Sequence, residues 1–272
     1  MSAIMVAPNG ARKGKSSHPE IPTSIDEITA TAIACHKAGA DAMHLHVRNP
    51  QGRPSLDAGL YREAIAHIND AMPGRFPVQI STETFGDHDA EDVINLLDAL
   101  RPEFASVSMR DLTGGGMDRA NMRRLLFWAK EAGVSLQHLL YSPDEFEALL
   151  TLLPRDDPAA FLFVLGGHRQ GAAGDPAELL AFLKILSDSN LRDAAQWMVC
   201  GFSRSETACV VLAAILGGHC RVGFENNLQH PSGAIASDNA ERVRAVRKFL
   251  DDLSSPKISE FELGRVLGKP DD

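Results

Sequence analysis

The stretch AMHLHVRN, residues 42–49, sets His44, His46 and Arg48 at alternate positions. On an extended strand alternate residues project to one face, so the two imidazoles stand side by side with their Cα atoms roughly 7 Å apart. Two neutral imidazoles at that spacing can chelate one metal ion. A carboxylate from another strand would make a third protein ligand and leave one position open for water or substrate, the arrangement of catalytic zinc. Glu225, in RVGFENN, is the better candidate for that carboxylate, and Glu83, in ISTETFG, is its rival. The plainer reading is a set of satisfied polar core residues. It suits a lone strand histidine better than two on one face beside an arginine. H-x-H alone does not identify an activity, since amidohydrolases and other hydrolases carry it.

Something must hold these residues together. Short apolar runs alternate with amphipathic patterns along the whole chain. The expected strands are AIMVAP (3–8), AMHLHV (42–47), PVQIST (77–82), FASVSM (104–109), VSLQHLLY (134–141), FLFVLG (161–166), QWMVCG (196–201) and CRVGFE (220–225). Such apolar runs suit strands buried on both faces of a parallel sheet. Helical spacing follows each, at 24–39, 57–71, 89–99, 118–132, 143–153, 176–187, 204–217 and 238–251. Several segments open on a cap, such as Ser24 with Glu27, Asp57, Asp118, or Asp175 before Pro176. Eight strand–helix units over about 250 residues predict a single (β/α)8 TIM barrel. An open doubly wound sheet competes, but APNGARKGK does not match its G-x-G-x-x-G turn. One domain spanning 1–272 is expected, with a polar C-terminal appendage from about 254.

Composition narrows the partners. A net charge of −9 argues against a general nucleic-acid binder, which would need clustered Lys and Arg. No window approaches ~18 uninterrupted apolar residues, so no membrane span is expected. The N-terminus has its apolar run before its charges, the wrong order for a signal peptide. The four cysteines form no C-x-x-C pair and read as reduced thiols. A cytoplasmic protein acting on small molecules is expected, as a homo-oligomer, because barrels of this kind commonly assemble.

A TIM barrel gathers its chemistry at the C-terminal ends of its strands and in the loops that follow. There stand Asn9, Gly10 and Arg12; His44, His46 and Arg48; Ser81, Thr82 and Glu83; Ser106, Ser108 and Arg110; His138 and Tyr141; Gly166, Gly167 and His168; Ser203 and Arg204; and Glu225, Asn226 and Asn227. Arg221 lies four positions before Glu225, on the same face of an extended strand, and as a buried arginine must pair structurally or face an anion. Arg48 and Arg110 could hold anions or form surface salt bridges. His138, His168 and His230 read as ordinary strand or loop histidines. The loop LGGHRQGAAGD (165–175) is a weak phosphate motif.

Taken with the blocks APNGAR, GADAMHLHVRNPQGRPSLD and GGHCRVGFENNLQHPSG followed by ASDNAERV, the chain resembles the β-keto acid cleavage enzymes, relatives of 3-keto-5-aminohexanoate cleavage enzyme, over essentially its whole length. The resemblance implies a zinc-dependent TIM barrel that condenses a β-keto acid with acetyl-CoA, yielding acetoacetate and an acyl-CoA. It implies Zn2+ on His44, His46 and Glu225, a serine at Ser81, a hydroxyl at Ser106 and a substrate-side arginine at Arg221. Two positions depart from the family pattern. Asn226 stands where relatives have an aspartate that assists proton abstraction. Glu83 and Thr84 stand where many relatives have glycines. An amide is no base, so Glu83, a bound water or the substrate itself must take the proton. Glu83 could alternatively partner a cationic keto acid. The competing readings are another metal-dependent barrel hydrolase or aldolase-type lyase, and a non-catalytic metal- or acyl-CoA-binding barrel. An amidohydrolase would carry H-x-H on its first strand and an aspartate after its eighth.

Overall fold

The computed structural model describes residues 1–72, 74–83, 88–153, 159–166, 172–253 and 258–269. Its strands are β1 (Ile4–Val6), β2 (Ala42–Leu45), β3 (Val47–Arg48), β4 (Pro54–Ser55), β5 (Val78–Ser81), β6 (Phe104–Ser108), β7 (Ser135–Leu140), β8 (Ala160–Leu165), β9 (Gln196–Gly201) and β10 (His219–Val222). Eight of them pair in parallel and close a barrel in the order β1-β10-β9-β8-β7-β6-β5-β2, while β3 and β4 form a separate antiparallel ribbon. The TIM barrel expected from the strand–helix alternation is the observed fold.

The helices are α1 (Ile25–Lys37), α2 (Ala58–Ala71), α3 (Ala90–Leu100), α4 (Met109–Gly114), α5 (Arg119–Glu131), α6 (Pro143–Leu150), α7 (Leu179–Asp188), α8 (Glu206–Ile215), α9 (Asn239–Asp252) and α10 (Glu260–Val266). Their starts follow from side-chain caps. Ser24 and Glu27 form the expected capping box, and Asp57, Asp118 and Asp175 each accept from a backbone N–H of the first turn that follows. Three elements were not anticipated: the β3–β4 ribbon, too short to leave a periodic signal; α4, which Ser108 caps directly at the end of β6; and α10, which a Ser259–Glu262 capping box starts where a polar appendage was expected.

Alternation sorts each barrel strand into two faces. Ile4, Val6, Met43, Leu45, Val78, Ile80, Ala105 and Val107 face outward and pack against helices in one cluster. Phe161, Phe163 and Val199 do the same beside Phe146 and Phe182. The inward set includes Met5, Ala42, Phe104, Leu139, Leu162, Val164, Met198 and Cys200. From α10 and the residue that caps it, beyond the expected start of the polar appendage, Leu263, Val266 and Leu267 join this inner cluster beside Ala3 and Met5. The interior is apolar on β8, and on β9 apart from Gln196, whose Oε1 lies 3.3 Å from His219 Nε2 of β10. On β2, β5, β7 and β10 it instead holds His44, Gln79, Gln137 and Arg221, none more than 1% exposed. That lopsided filling places the site.

Two histidines remote from the site carry a consequence for stability. Burial holds the His138 and His219 imidazoles down to about 4, against an ordinary value near 6.5. The folded protein therefore favours their neutral forms. Their contribution is fully present above about pH 6.5 and is lost as pH falls towards 4. Urea midpoints should drop between pH 7 and 4.5, and His138→Leu should narrow that drop.

Candidate active site

His44 faces inward because Met43 and Leu45 face the helices. Strand register sets it beside Gln79 of β5, and its Nδ1 lies 2.8 Å from Gln79 Oε1. The strand expected over 42–47 stops at Leu45, and His46 occupies a one-residue break before β3. Asn9 bridges that break: its Nδ2 donates to the His46 carbonyl at 2.8 Å, and its Oδ1 accepts from the His46 N–H at 3.4 Å. The side-chain amide thus replaces the peptide unit that β1, ending at Val6, cannot offer. The imidazoles still meet, with Nε2 atoms 3.3 Å apart.

Glu225 lies in a turn, not on the strand expected over 220–225. β10 ends at Val222, and Gly223 has φ +141°, where a Cβ would lie 2.3 Å from the Ala7 carbonyl oxygen. The N–H groups of Asn226 and Asn227 close the turn onto the Gly223 carbonyl, each at 2.9 Å. Glu206 Oε1 accepts from the Gly223 N–H at 3.1 Å, and Lys13 Nζ donates to the carbonyls of Phe224 and Glu225, both at 3.0 Å. Arg221, inward on β10, forms an ion pair with the Glu225 carboxylate, so the four-residue spacing works through a turn.

Glu225 Oε2 stands 3.8 Å from His44 Nε2 and 3.5 Å from His46 Nε2, and this buried oxygen has no hydrogen-bond partner. Donors held at ~2.0–2.1 Å by a tetrahedral ion lie roughly 3.3–3.4 Å from one another. The three atoms are therefore close to the spacing a metal ion would impose. Gly10, with φ +57°, completes the cradle, because a Cβ there would come within 2.5 Å of Glu225 Cγ. The electrostatics suit the same ligand. Burial holds the His44 pKa well below its ordinary value and that of His46 at about 4, leaving both imidazoles neutral. For Glu225, burial pushes upward but Arg221 and the two imidazoles prevail, holding the carboxylate at about 2. His44, His46 and Glu225 could hold a metal ion.

A cavity of about 210 Å³ opens over this trio, lined by Ser81, Glu83, Tyr141, Cys200, Phe202 and Asn226 among others. Glu83 Oε2 is 3.9 Å from His46 Nε2, and its Oε1 is 3.7 Å from Arg12. Burial and the neighbouring Glu225 push the Glu83 carboxyl up to about 8. Asn226 is 2% exposed, and neither atom of its amide has a hydrogen-bond partner. Ser81 Oγ accepts from the Glu83 N–H at 3.2 Å. Ser106 is buried one strand over, with its hydroxyl 3.5 Å from the Ile80 carbonyl, and it is not among the described residues that line the cavity.

Arg48 turns to the backbone: it donates to the carbonyls of Gly10 at 2.7 Å and Lys13 at 2.6 Å, tying down the loop after β1. Arg110 pairs with Glu145 and lies over the Tyr141 ring. His230 bonds to Glu241 and Arg242. Thr84, Gly167 and His168 fall outside the described residues, as does the middle of the 165–175 loop. Sequence reasoning overlooked Gln79, Gln137, Lys13 and Cys200. For the two glutamines the signal was present, since each is an amide at an inward position of an otherwise apolar strand.

A family profile for beta-keto acid cleavage enzymes matches residues 2–268. The chain belongs to that family. Among its relatives is a 3-keto-5-aminohexanoate cleavage enzyme of Fusobacterium nucleatum, 29% identical over 99% of this chain and 94% of the relative. Another is a 3-oxoadipate:acetyl-CoA acetyltransferase of Cupriavidus necator, 26% identical over 98% of this chain and 94% of the relative. ObcA in complex with oxaloacetate superposes with a TM-score of 0.71 at 17% identity, covering 93% of this chain and 68% of that one, and so shares the fold. Among the described residues of this beta-keto acid cleavage enzyme, no helix is long and apolar enough to cross a membrane.

Proposed function

We propose that this chain is a zinc-dependent β-keto acid cleavage enzyme that condenses a β-keto acid with acetyl-CoA to give acetoacetate and the CoA ester of the remaining acyl fragment. The observation that carries this reading is the convergence of His44, His46 and Glu225, from two distant parts of the sequence, at metal-ligand spacing in a family member. When bound, zinc supplies a Lewis acid for the keto and carboxylate oxygens, which lowers the barrier to losing a proton from the carbon between them.

Glu83 accepts that proton. Among the described residues, the carboxylates lining the cavity are Glu83 and Glu225; Glu225 is committed to the metal trio, and Asn226 has no basic atom. The carbanion attacks the acetyl thioester, and CoA leaves as the thiolate. That thiolate adds to the original keto carbon, the bond between the two central carbons breaks, and acetoacetate departs with the proton returned by Glu83. Arg221 and Ser81 donate hydrogen bonds to the oxyanions that develop at each addition. Asn226 offers its unpaired amide N–H to a substrate oxygen in the same cavity. Ser106, turned to the Ile80 carbonyl, has no assigned contact in this scheme.

The Glu83→Gln variant separates its two roles. As the proton acceptor, Glu83 should support every substrate, and the variant should lose about 10²–10⁴-fold in kcat on neutral, anionic and cationic β-keto acids alike. As the partner of a cationic substituent, it would lose activity on cationic substrates alone. Acetyl-CoA-dependent acetoacetate formation across such a panel decides between them. Absence of turnover on the whole panel by the wild-type protein would overturn the proposed activity.

A further inference from the structure

Gln79 and Gln137 sit side by side inside the barrel, on β5 and β7, each 0% exposed. An amide in such a place is destabilising unless its hydrogen bonds are made, so two of them need a reason. Gln79 Nε2 donates to Gln137 Oε1 at 3.2 Å. That bond orients the Gln79 amide, leaving its Oε1 aimed at His44 Nδ1, 2.8 Å away. An amide oxygen can only accept, so the imidazole nitrogen facing it must carry the proton. The other nitrogen, Nε2, then presents its lone pair to His46 Nε2 at 3.3 Å and Glu225 Oε2 at 3.8 Å.

We infer that Gln79, oriented by Gln137, is a positioning residue that sets the tautomer and ring orientation of His44 and thereby readies its Nε2 to bind a metal ion. The inference rests on the reading of His44, His46 and Glu225 as metal ligands. It adds a second layer beneath them, built from residues that never reach the cavity. Hydrogen bonds from a ligand's far nitrogen hold the ring and raise its basicity, and their loss commonly weakens metal binding 10–100-fold. Gln137 acts one step further back. Without it the Gln79 amide can turn over and offer an N–H to His44, which favours the tautomer unable to bind through Nε2.

Two measurements on the intact protein test this. The first is zinc affinity by competition with a chromophoric chelator for wild type, Gln79→Met and Gln79→Glu. Gln79→Met should bind zinc 10–100-fold more weakly. Gln79→Glu should stay within about threefold of wild type, because a carboxylate also accepts from Nδ1–H and the unpaired Nε2 of Gln137 can turn to meet it. Undiminished affinity in Gln79→Met, or an equal loss in Gln79→Glu, would overturn the inference. A wild type that takes up no zinc would instead overturn the metal-site reading. The second measurement is imidazole ¹⁵N NMR of metal-free wild type, which needs no variant to fold. His44 should carry its proton on Nδ1, and a proton on Nε2 would contradict the assignment.

Discussion

His46→Ala is expected to abolish zinc binding and acetoacetate formation together. The side chain supplies one of three donors, and its Nε2 lies 3.3 Å from that of His44 and 3.5 Å from Glu225 Oε2. A two-ligand remnant cannot hold the ion against bulk water, and activity should fall by at least ~10³-fold if the chemistry depends on it. The fold should survive: the backbone bonds to Asn9 do not involve the imidazole, and the alanine leaves a small space beside a water-accessible cavity. Zinc content by elemental analysis and turnover on one preparation would check both halves. Full turnover in a metal-free variant would contradict the mechanism.

Arg221→Met should act on stability and catalysis at once. Arg221 is 1% exposed and pairs with Glu225, whose side chain is 14% exposed and whose Oε2 is buried beside two neutral imidazoles. Removing one partner of a buried pair typically costs about 3–5 kcal/mol, because the remaining charge stays buried without compensation. In the metal-free protein that full cost should appear in urea unfolding. Zinc would supply the missing positive charge beside Glu225, so the deficit should shrink when the ion is present. Activity should still fall about 10²–10³-fold, since the oxyanion donor is gone. An equal stability loss with and without zinc would show that Glu225 does not face the ion.

The parts of this architecture that were legible in the sequence are those written in local chemistry. The apolar runs and the caps at Ser24, Asp57, Asp118 and Asp175 announced eight strand–helix units, and strand alternation brought His44 and His46 together. Strand ends were misjudged where tertiary contacts decide them. His46 is held by Asn9, thirty-seven positions earlier, and Glu225 lies in a turn fixed by Lys13 and Glu206 from elsewhere in the chain. Arg48, by its place at a strand end, reads from the sequence as an anion holder or a surface salt-bridge partner. The ribbon after β2 instead directs it to the carbonyls of the β1 loop. Gln79 and Gln137 carry only the weak signal of an amide at an inward strand position; strand register sets Gln79 beside His44, and a side-chain hydrogen bond brings Gln137 to Gln79. Ser106 was placed by family likeness, and the structure turns its hydroxyl to a backbone carbonyl.

The central claim is that His44, His46 and Glu225 together hold an ion on which β-keto acid cleavage depends. It is tested most directly by one titration. Zinc is stripped from the wild-type protein with a chelator and added back in measured fractions, and acetyl-CoA-dependent acetoacetate formation is followed at each point. Activity should be absent at the start, rise in proportion to bound zinc, and reach its plateau at one ion per chain. Activity that persists in the stripped protein, or a plateau unrelated to one ion per chain, would contradict the account.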